Sequence, residues 1–533
     1  MPVQPQLRGI SAAPGLAQGA AFWVEASAVG RSADSLKPTI DLSEALALAS
    51  SQLVELMERV EGEEVEILEF QLAMLEDEAL SDPVRQAFTA GTTLIEGWQQ
   101  TLDEHVTDYE QSEDEYFQAR ASDLRDIRDR VLRILRGETE AGIPEGAILL
   151  ATDLTPSRFL GLDWNKGGGV VLREGSPSSH VAMLARSRGV PMLVGIEDLP
   201  LGAFPDQTRL LLDAYEGVLY VDPSAEETQA FEHKLQIAKE EAERLATVLD
   251  QPAQTVNGTA VQVLINVALP EELAKLNSAH CDGIGLMRSE FLFHHGLPSE
   301  ESQYRSYRKL LEWAGAKPVT IRTLDAGGDK PLPGLEQPAE SNPFLGLRGL
   351  RLSLRQPEVF RTQLRALCRA AVHGNLKVMV PMVTVPDELH STRELLEDVC
   401  AELTAEDIEF HKPVLGMMVE VPAAALAPEL FTDAAFFSIG SNDLVQYLTA
   451  SSRDLHHVAD LADPGHPAVL RVIRELVEHC DCSGQELSLC GDMGSDPNFI
   501  AQLLEAGLRN LSVAPARLGK TKWTIRETNL EGV

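Results

Sequence analysis

The sequence has no run of about 18 consecutive apolar residues, the length that a membrane-spanning helix needs. Its first residues, MPVQPQLRGISAAPG, lack the basic end and apolar core of a signal peptide. Cysteine is scarce and follows no framework spacing, which argues against a disulfide scaffold. The six cysteines all fall in the second half, at Cys281, Cys368, Cys400, Cys480, Cys482 and Cys490. We therefore expect a cytoplasmic protein without membrane insertion.

Basic residues are few: 45 Lys and Arg stand against 82 Asp and Glu, a formal net charge of -37. Nucleic acid and anionic membranes would be repelled, so neither is an expected partner. The acidity would attract a basic protein, or it only keeps a large chain soluble; composition leaves both open. Between Ser35 and Arg136 there are 24 acidic and 9 basic residues, a local charge of -15.

A chain of 533 residues is long enough for about three domains. From Asp41 apolar residues recur on one helical face, and Asp41 with Glu44 forms a capping-box-like start. Further helical stretches over 64–79 and 83–109, and one ending near Leu135, predict a four-helix unit from Asp41 to Arg136. The alternative is that the four helices only pack on a core and have no further role.

Strand-like segments return at Gly142 and predict an α/β domain that the helical unit interrupts. They are GAILLATDLTP, GGGVVLREG, PMLVGI and RLLLDAYEGVLYV. Residues 222–249 form a highly charged helix, typical of a connector between mobile bodies. From Gln254 apolar strands alternate with helices, as in a parallel (β/α)₈ barrel whose strand ends supply the chemistry. The strands are VQVLINV, GIGLM, VTIRTLD, LKVMVPMV, VLGMMVEV, AFFSIG, LSLCG and NLSVA.

His180 lies in GSPSSHVAMLARSRGVPMLVG, where serines precede a helix-like run. This pattern predicts an imidazole at a helix N-terminus, where backbone N–H groups favour an anion. We interpret it as a site for a phosphoryl group carried on the histidine, because neutral imidazole attacks phosphorus without a separate base. A histidine that merely lies beside serines is the alternative that this segment leaves open.

The second half carries six motifs, in each of which a short apolar run ends in a charged or metal-binding group. In order, they are GLMRSEFLF, IRTLDAGGDK, NPFLGLRGLR, MMVEVPAA, FFSIGSNDLVQY and SLCGD. Together with the His180 segment they resemble enzyme I of the bacterial phosphoenolpyruvate:sugar phosphotransferase system, the phosphoenolpyruvate–protein phosphotransferase family. The resemblance extends along nearly the whole chain.

The resemblance implies a multidomain α/β fold. Residues 1–35 and 137–222 would form a swivelling phosphohistidine domain, 36–136 an inserted four-helix carrier-binding domain, 223–250 a connector and 251–533 a phosphoenolpyruvate-binding TIM-type barrel. It implies transfer of the phosphoryl group of phosphoenolpyruvate to His180 with release of pyruvate, and then to an HPr-type phosphocarrier. It also implies a homodimer through the barrel, although the chain ends at Val533 without the last helical stretch of typical members.

Arg288, Arg322 and Arg348 follow or end barrel strands. Guanidinium forks suit the phosphate and carboxylate of a small trianion, although a single arginine is more often a surface ion-pair residue. By resemblance, the residues that bind phosphoenolpyruvate are Arg288, Arg322, Asn442, Asp443 and Arg453, with Arg348 as a further candidate.

Glu420 in MMVEVP and Asp443 in SIGSNDL each follow an apolar strand, as oxygen ligands of Mg²⁺ would. Acids that cap helix starts are the alternative. Cys490 at the end of SLCG matches the family's proton donor, whereas a strand-end cysteine is otherwise a small buried apolar residue. A zinc site formed by His479 and the nearby cysteines is not expected, because the spacing fits no common ligand pattern.

Three positions depart from the family's pattern. Phe159 and Pro177 stand where a threonine and an arginine are usual, and Asp492 replaces a glutamate. Pyruvate phosphate dikinase and phosphoenolpyruvate synthase share the histidine domain and barrel but need a nucleotide-binding domain, and no glycine-rich phosphate loop is found here. A degenerate member acting only as a regulatory binding protein is the other alternative, against which His180 and Cys490 argue.

Overall fold

The computed structural model describes residues 6–24, 40–57, 63–111, 115–138, 143–164, 168–177, 179–196, 199, 205, 207–293, 296–327, 334, 340–452 and 457–530. The chain divides into two compact units, Met1–Lys239 and Glu240–Val533. None of the helices in these ranges has the length and apolar character that crossing a bilayer requires.

The first unit contains an acidic helical region. Its helices are α1 (Leu42–Met57), α2 (Glu63–Glu76), α3 (Glu78–Thr89), α4 (Leu94–Glu110) and α5 (Glu115–Leu135). The predicted start of α1 is confirmed, since the Asp41 carboxylate accepts the Glu44 N–H at 2.8 Å. The apolar face also packs as predicted, with Ala45, Ala49 and Leu53 fully buried.

The prediction of one helix over residues 83–109 was wrong, and the described part of this region has five helices instead of four. After α3, Gly91 adopts a φ of +107°, which breaks the helical path. Thr93 then caps α4: its hydroxyl accepts the Glu96 N–H, while the Glu96 carboxylate accepts the Thr93 N–H. This capping box starts a new helix where the apolar period alone suggested continuity.

An eight-stranded mixed sheet forms the rest of the first unit. The strands are β1 (Gln6–Arg8), β2 (Ile10–Ala13), β3 (Leu16–Trp23), β4 (Ile148–Ala151), β5 (Gly169–Leu172), β6 (Met192–Val194), β7 (Arg209–Asp213) and β8 (Val218–Val221). Their order in the sheet is β1-β8-β7-β3-β4-β5-β6-β2. The central strands β3 to β6 are parallel, and β4 and β5 are buried along their whole length, as their apolar sequences require. Helices α6 (Pro156–Leu160) and α7 (His180–Arg188) follow β4 and β5.

The helical region and the sheet share one apolar core, in which Leu53 and Trp98 belong to the same cluster as Leu149 and Val170. A buried polar contact also joins them. The Asp126 carboxylate of α5 accepts the N–H and the hydroxyl of Ser157 at 2.9 and 2.7 Å. Removing the whole helical region would therefore expose the core of the α/β part.

The predicted connector is a single helix, α8 (Ala225–Leu249), and the second unit is a closed barrel of eight parallel strands. Each predicted strand is present: β9 (Gln262–Val267), β10 (Ile284–Arg288), β11 (Pro318–Arg322), β12 (Asn375–Val380), β13 (Val414–Val419), β14 (Phe436–Gly440), β15 (Glu486–Cys490) and β16 (Asn510–Val513). The surrounding helices are α9 (Glu300–Ala314), α10 (Leu350–Arg355), α11 (Pro357–Ala370), α12 (Pro386–Ala405), α13 (Pro422–Leu426), α14 (Ser441–Thr449), α15 (Pro467–Ser483), α16 (Pro497–Glu505) and α17 (Leu518–Glu527).

Candidate active site

A cavity of about 80 Å³ lies at the C-terminal ends of the barrel strands. Parallel strands bring their ends to the same mouth, so residues far apart in sequence meet there. The lining residues are Leu286, Arg288, Glu290, Arg322, Asp325, Arg348, Met418, Glu420, Gly440, Asn442, Asp443, Cys490 and Gly491.

Two of the three arginines are bound by carboxylates. Arg322, the last residue of β11, contacts Glu290 Oε1 at 2.5 Å and Asp325 Oδ2 at 3.0 Å. Arg348 donates to both oxygens of Asp325 at 3.1 and 3.1 Å and to both oxygens of Asp443 at 3.0 and 3.0 Å. Asp325 therefore links the two guanidinium groups and fixes their separation.

Electrostatics keep these two arginines charged. Burial alone lowers the pKa of Arg322, but the Glu290 and Asp325 carboxylates outweigh it and hold the pKa above its ordinary value. The same balance raises the pKa of Arg348, where Asp325 and Asp443 oppose burial. Both side chains therefore stay cationic, but only Arg322 keeps a donor, Nε, without a partner among the described residues. The N–H groups of Arg348 are all taken by Asp325, Asp443 and Tyr447, so Arg348 contributes positive charge to the cavity.

Arg288, the last residue of β10, differs from the other two arginines. It is half-buried, and among the described residues it has no hydrogen bond or ion pair. Its donors are consequently available to a ligand in the cavity.

Glu420 follows β13 and is fully buried. Its Oε1 accepts the N–H of Met382 at 2.6 Å, and its Oε2 has no hydrogen-bond partner in the part of the chain that the structure describes. Burial, followed by the negative charges of Asp443 and Asp325, raises the pKa of Glu420 to about 8. A Cβ on Gly440 would lie 2.8 Å from Glu420 Oε2, so glycine is needed there for this close approach.

Asn442 is held by Asp492, which stands where the resemblance implies a glutamate. The Asn442 amide donates to Asp492 Oδ2 at 3.0 Å, and the Asp492 N–H donates back to Asn442 Oδ1 at 3.1 Å. Gly491 between the strand end and Asp492 has a φ of +117°, and a Cβ there would lie 2.3 Å from Ser441 Oγ. The aspartate thus keeps a carboxylate contact to the amide.

Cys490 ends β15 and is 2% exposed. It belongs to a small apolar cluster inside the barrel, with Leu286, Met379, Met418 and Phe436. Burial raises the pKa of its thiol, against the hydrogen bond from Ser438. The thiol therefore remains protonated at neutral pH and can donate that proton.

His180 lies in the first unit and is the first residue of α7. The predicted helix N-terminus is confirmed, with Ser179 as the cap accepting the Ala182 N–H; the imidazole itself lies outside the described atoms. Pro177 accepts a hydrogen bond from Arg186 through its carbonyl at 2.8 Å. Phe159 is fully buried and stacks on Trp164 at 4.9 Å, so it takes no polar role near the helix start.

The cavity brings together most of the predicted site residues, namely Arg288, Arg322, Arg348, Glu420, Asn442, Asp443 and Cys490. Arg453 lies outside the described residues. Sequence reasoning missed Glu290 and Asp325, although each follows an arginine within a quoted motif and this spacing could have marked them. The described ranges contain no group of three or more His, Cys, Asp or Glu side chains arranged to hold a metal.

Three parts of the chain match known families. Residues 8–120 match "PEP-utilising enzyme, N-terminal", 143–217 match "PEP-utilising enzyme, mobile domain" and 242–530 match "PEP-utilising enzyme, PEP-binding domain". A phosphoenolpyruvate-protein phosphotransferase of Priestia megaterium is 34% identical over 545 residues, covering 98% of this chain and 94% of the relative. Proteins of the same name from Haloferax volcanii and Listeria monocytogenes are 37% and 35% identical, covering 89% and 87% of this chain and 83% and 82% of the relatives.

Proposed function

Because the chain belongs to the phosphoenolpyruvate–protein phosphotransferase family, we propose that it transfers the phosphoryl group of phosphoenolpyruvate to His180 and releases pyruvate. The phosphoryl group then passes to a histidine of an HPr-type phosphocarrier, in the first step of a sugar phosphotransferase system. The observation that carries this proposal is one cavity that collects three guanidinium groups, the buried thiol of Cys490, and Glu420 Oε2, which has no partner in the part of the chain that the structure describes.

The arginines suit the two anionic groups of phosphoenolpyruvate. Arg288 has no hydrogen-bond partner in the described ranges, and Arg322 and Arg348 are held in place by carboxylates, so little ordering is needed when an anion binds. We propose Arg288 and Arg322, with Arg453, as the residues that bind the substrate. The proposed substrate-binding residues also include Asn442, Asp443 and Arg348.

We propose Mg²⁺ as the cofactor and Glu420 and Asp443 as its protein ligands. The donor set fits, since Glu420 Oε2 is buried without a partner among the described residues and Mg²⁺ prefers carboxylate oxygens. With every carboxyl ionised, the cavity has three positive and four negative side chains, and a divalent cation changes its formal charge from -1 to +1. When bound, it would stabilise developing charge on substrate oxygens as a Lewis acid.

The proposed chemistry begins with attack by a ring nitrogen of His180 on phosphorus, and the bond from phosphorus to the C2 oxygen breaks. The departing enolate of pyruvate needs a proton at C3. Cys490 supplies it, because its raised pKa keeps the thiol protonated until the enolate forms. The thiolate regains a proton from water after pyruvate leaves. On His180, the phosphoryl group would be favoured by the N–H groups at the start of α7.

The acidic helical region is the proposed docking site for the carrier. Leu48 and Val54 on α1 and Phe88 on α3 are 46%, 44% and 53% exposed, although they are large apolar residues. Exposed acids such as Glu44 and Glu55 lie along the same helix as Leu48. A carrier whose active histidine lies among basic residues would be attracted to such a surface. If the helical region is only structural, substitutions on this surface will not change the rate of phosphoryl transfer to the carrier.

We also propose that the chain works in the cytoplasm as a homodimer through its barrel. All six cysteines are free thiols, which suits a reducing compartment.

The dimer is proposed from exposed apolar residues. Leu426 and Leu430 on the barrel are 61% and 55% exposed, and they offer apolar area to a second copy. The proposed functional divisions are 1–35 with 137–222, 36–136, 223–250 and 251–533. Light scattering across a concentration series tests the dimer.

Labelled phosphoenolpyruvate tests the function directly. With Mg²⁺ and no nucleotide, one acid-labile phosphate should appear on His180 of the parent and none on a His180→Ala variant. A requirement for ATP would indicate dikinase or synthase chemistry instead. Label on the His180→Ala protein, or no label on the parent, would refute the proposal.

A further inference from the structure

Two serines form a row of hydroxyl groups behind the Cys490 thiol. Ser438 on β14 and Ser488 on β15 are paired in register, as are Gly440 and Cys490 two residues further along each strand. Residues two apart on a strand face the same side, so both hydroxyls and the thiol lie on the inner face of the barrel.

Hydrogen bonds connect the row. Ser488 Oγ donates to Ser438 Oγ at 2.9 Å, and Ser438 Oγ donates to Cys490 Sγ at 3.5 Å. The thiol in turn donates to the carbonyl of Ile439 at 3.6 Å. Ser438 is 1% exposed and Ser488 is 9% exposed, so the row is largely shielded from solvent.

The surroundings make these contacts important for the sulfur. The cluster around Cys490 is otherwise apolar, formed by Leu286, Met379, Met418 and Phe436. A thiolate in such an environment is poorly solvated, and a donated hydrogen bond to a charged group is among the stronger ones in proteins. Ser438 is the hydroxyl that already directs its proton at this sulfur.

We propose that Ser438, supported by Ser488, is a positioning residue for protonation of the enolate at C3. It fixes the direction of the Cys490 thiol and stabilises the thiolate that remains when the S–H bond breaks and the C3–H bond forms. Ser488 orients the Ser438 hydroxyl by donating to its oxygen, which leaves the Ser438 proton for sulfur. This inference rests on the proposed function, in which Cys490 is the proton donor.

Proton transfer at C3 can be measured in the reverse direction, starting from pyruvate. In D₂O, the phosphorylated protein with Mg²⁺ and pyruvate should exchange methyl hydrogens of pyruvate for deuterium. The Cys490 thiol gives up its proton to solvent, the thiolate takes a proton from C3, and the thiol so formed exchanges with D₂O before a deuteron returns to C3. Proton NMR follows the exchange, and uptake of label from phosphoenolpyruvate onto His180 is measured separately. Cys490→Ala sets the background rate of exchange.

Ser438→Ala should lower the ratio of exchange rate to label uptake by about 10- to 100-fold, the range expected for a hydrogen bond to a charged group. Ser438→Thr keeps the hydroxyl and should recover most of the ratio, whereas Ser488→Ala should give a smaller loss. Ser512→Ala is the matched control, since Ser512 is a buried serine of β16 whose hydroxyl bonds to Asn266 and not to Cys490.

A parent-like ratio in Ser438→Ala would overturn the inference. Equal losses in Ser438→Ala, Ser438→Thr and Ser512→Ala would also overturn it, because they would indicate disturbed packing of the barrel. Failure of the parent to take up label would instead refute the proposed function.

Discussion

Arg348 and Asp443 face each other end-on, with each terminal nitrogen of the guanidinium donating to a different carboxylate oxygen at 3.0 Å. Arg348 also binds Asp325 through a second pair of contacts, so one buried cation serves two buried carboxylates. The arrangement holds a proposed metal ligand and a proposed anion-binding group in one rigid network. Removing any member leaves an uncompensated charge, and this gives a direct test.

Arg348→Met should lower the free energy of unfolding of the barrel unit by about 3 to 5 kcal/mol, the usual cost of breaking a buried ion pair from one side. The stability of Arg348→Lys should lie between that of the parent and that of Arg348→Met, because one ammonium group cannot bind both carboxylates. Denaturant unfolding measures both. Arg308→Met is the control, since its pair with Glu312 is exposed and worth at most about 1 kcal/mol. Equal stability of the two methionine variants would contradict the prediction.

Glu420→Gln and Asp443→Asn should each reduce divalent-cation affinity by about 100-fold or more, since even second-layer contacts to a metal are worth about 10- to 100-fold. Titration calorimetry with Mn²⁺ alone measures binding, and label uptake on His180 measures the consequence. Asp433→Asn, on an ion pair with Arg393 away from the cavity lining, serves as the control. Unchanged Mn²⁺ affinity in either site variant would place the metal elsewhere.

Asp492→Ala should raise the KM for phosphoenolpyruvate about 10-fold with a smaller effect on kcat. Asn442 loses its acceptor in that variant, and one hydrogen bond to a charged group is worth about 1.5 kcal/mol or more. Asp492→Glu keeps a carboxylate within reach and should remain near the parent. Steady-state kinetics of pyruvate formation measures KM and kcat for both variants. Identical KM values for Asp492→Ala and Asp492→Glu would show that Asp492 does not position Asn442.

Leu48→Glu should slow transfer to the carrier about 10-fold while leaving label uptake on His180 as in the parent. An apolar contact at the centre of an interface is commonly worth more than about 1 kcal/mol, and Leu48 is exposed on α1. The shared core rules out deleting the helical region as a test. Ile237→Glu on α8 is the control, also at an exposed apolar residue. Higher salt should slow parent transfer, and a Leu48→Glu protein that transfers normally would place docking elsewhere.

Asp123 in α5 gives a pH-dependent prediction. Burial raises the pKa of its carboxyl from 3.8 to about 6, despite the hydrogen bond from Arg120. The folded state therefore binds the proton more tightly, and the resulting stability is present below about pH 4 and lost as pH rises through about 6. Asp123→Asn stays neutral, so its stability relative to the parent should be about 2 kcal/mol greater at pH 7 than at pH 4.

Hydrogen exchange of α5 amides in the full chain measures this difference at the two pH values. Asp82→Asn is the control, since the Asp82 side chain is 55% exposed. If Asp123→Asn and the parent differ equally at pH 4 and pH 7, the buried carboxyl does not titrate as proposed.

The sequence alone determined the order of the barrel strands and the identity of most cavity residues. Apolar strands with polar ends are local patterns, and the strand ends of a parallel barrel must meet at one mouth. The cap of α1 at Asp41 and the start of α7 at His180 could also be predicted, because capping depends on residues within one turn.

The tertiary structure decided the contacts that span long sequence separations. Glu290 and Arg322, or Arg348 and Asp443, are 32 and 95 positions apart, and only barrel closure pairs them. The hydroxyl row behind Cys490 likewise depends on the register of β14 against β15. In the helical region, the break before Thr93 depends on a local capping box that competes with a continuous apolar period. Local patterns fix which groups reach the mouth of the barrel, whereas burial and register fix which of them bind one another.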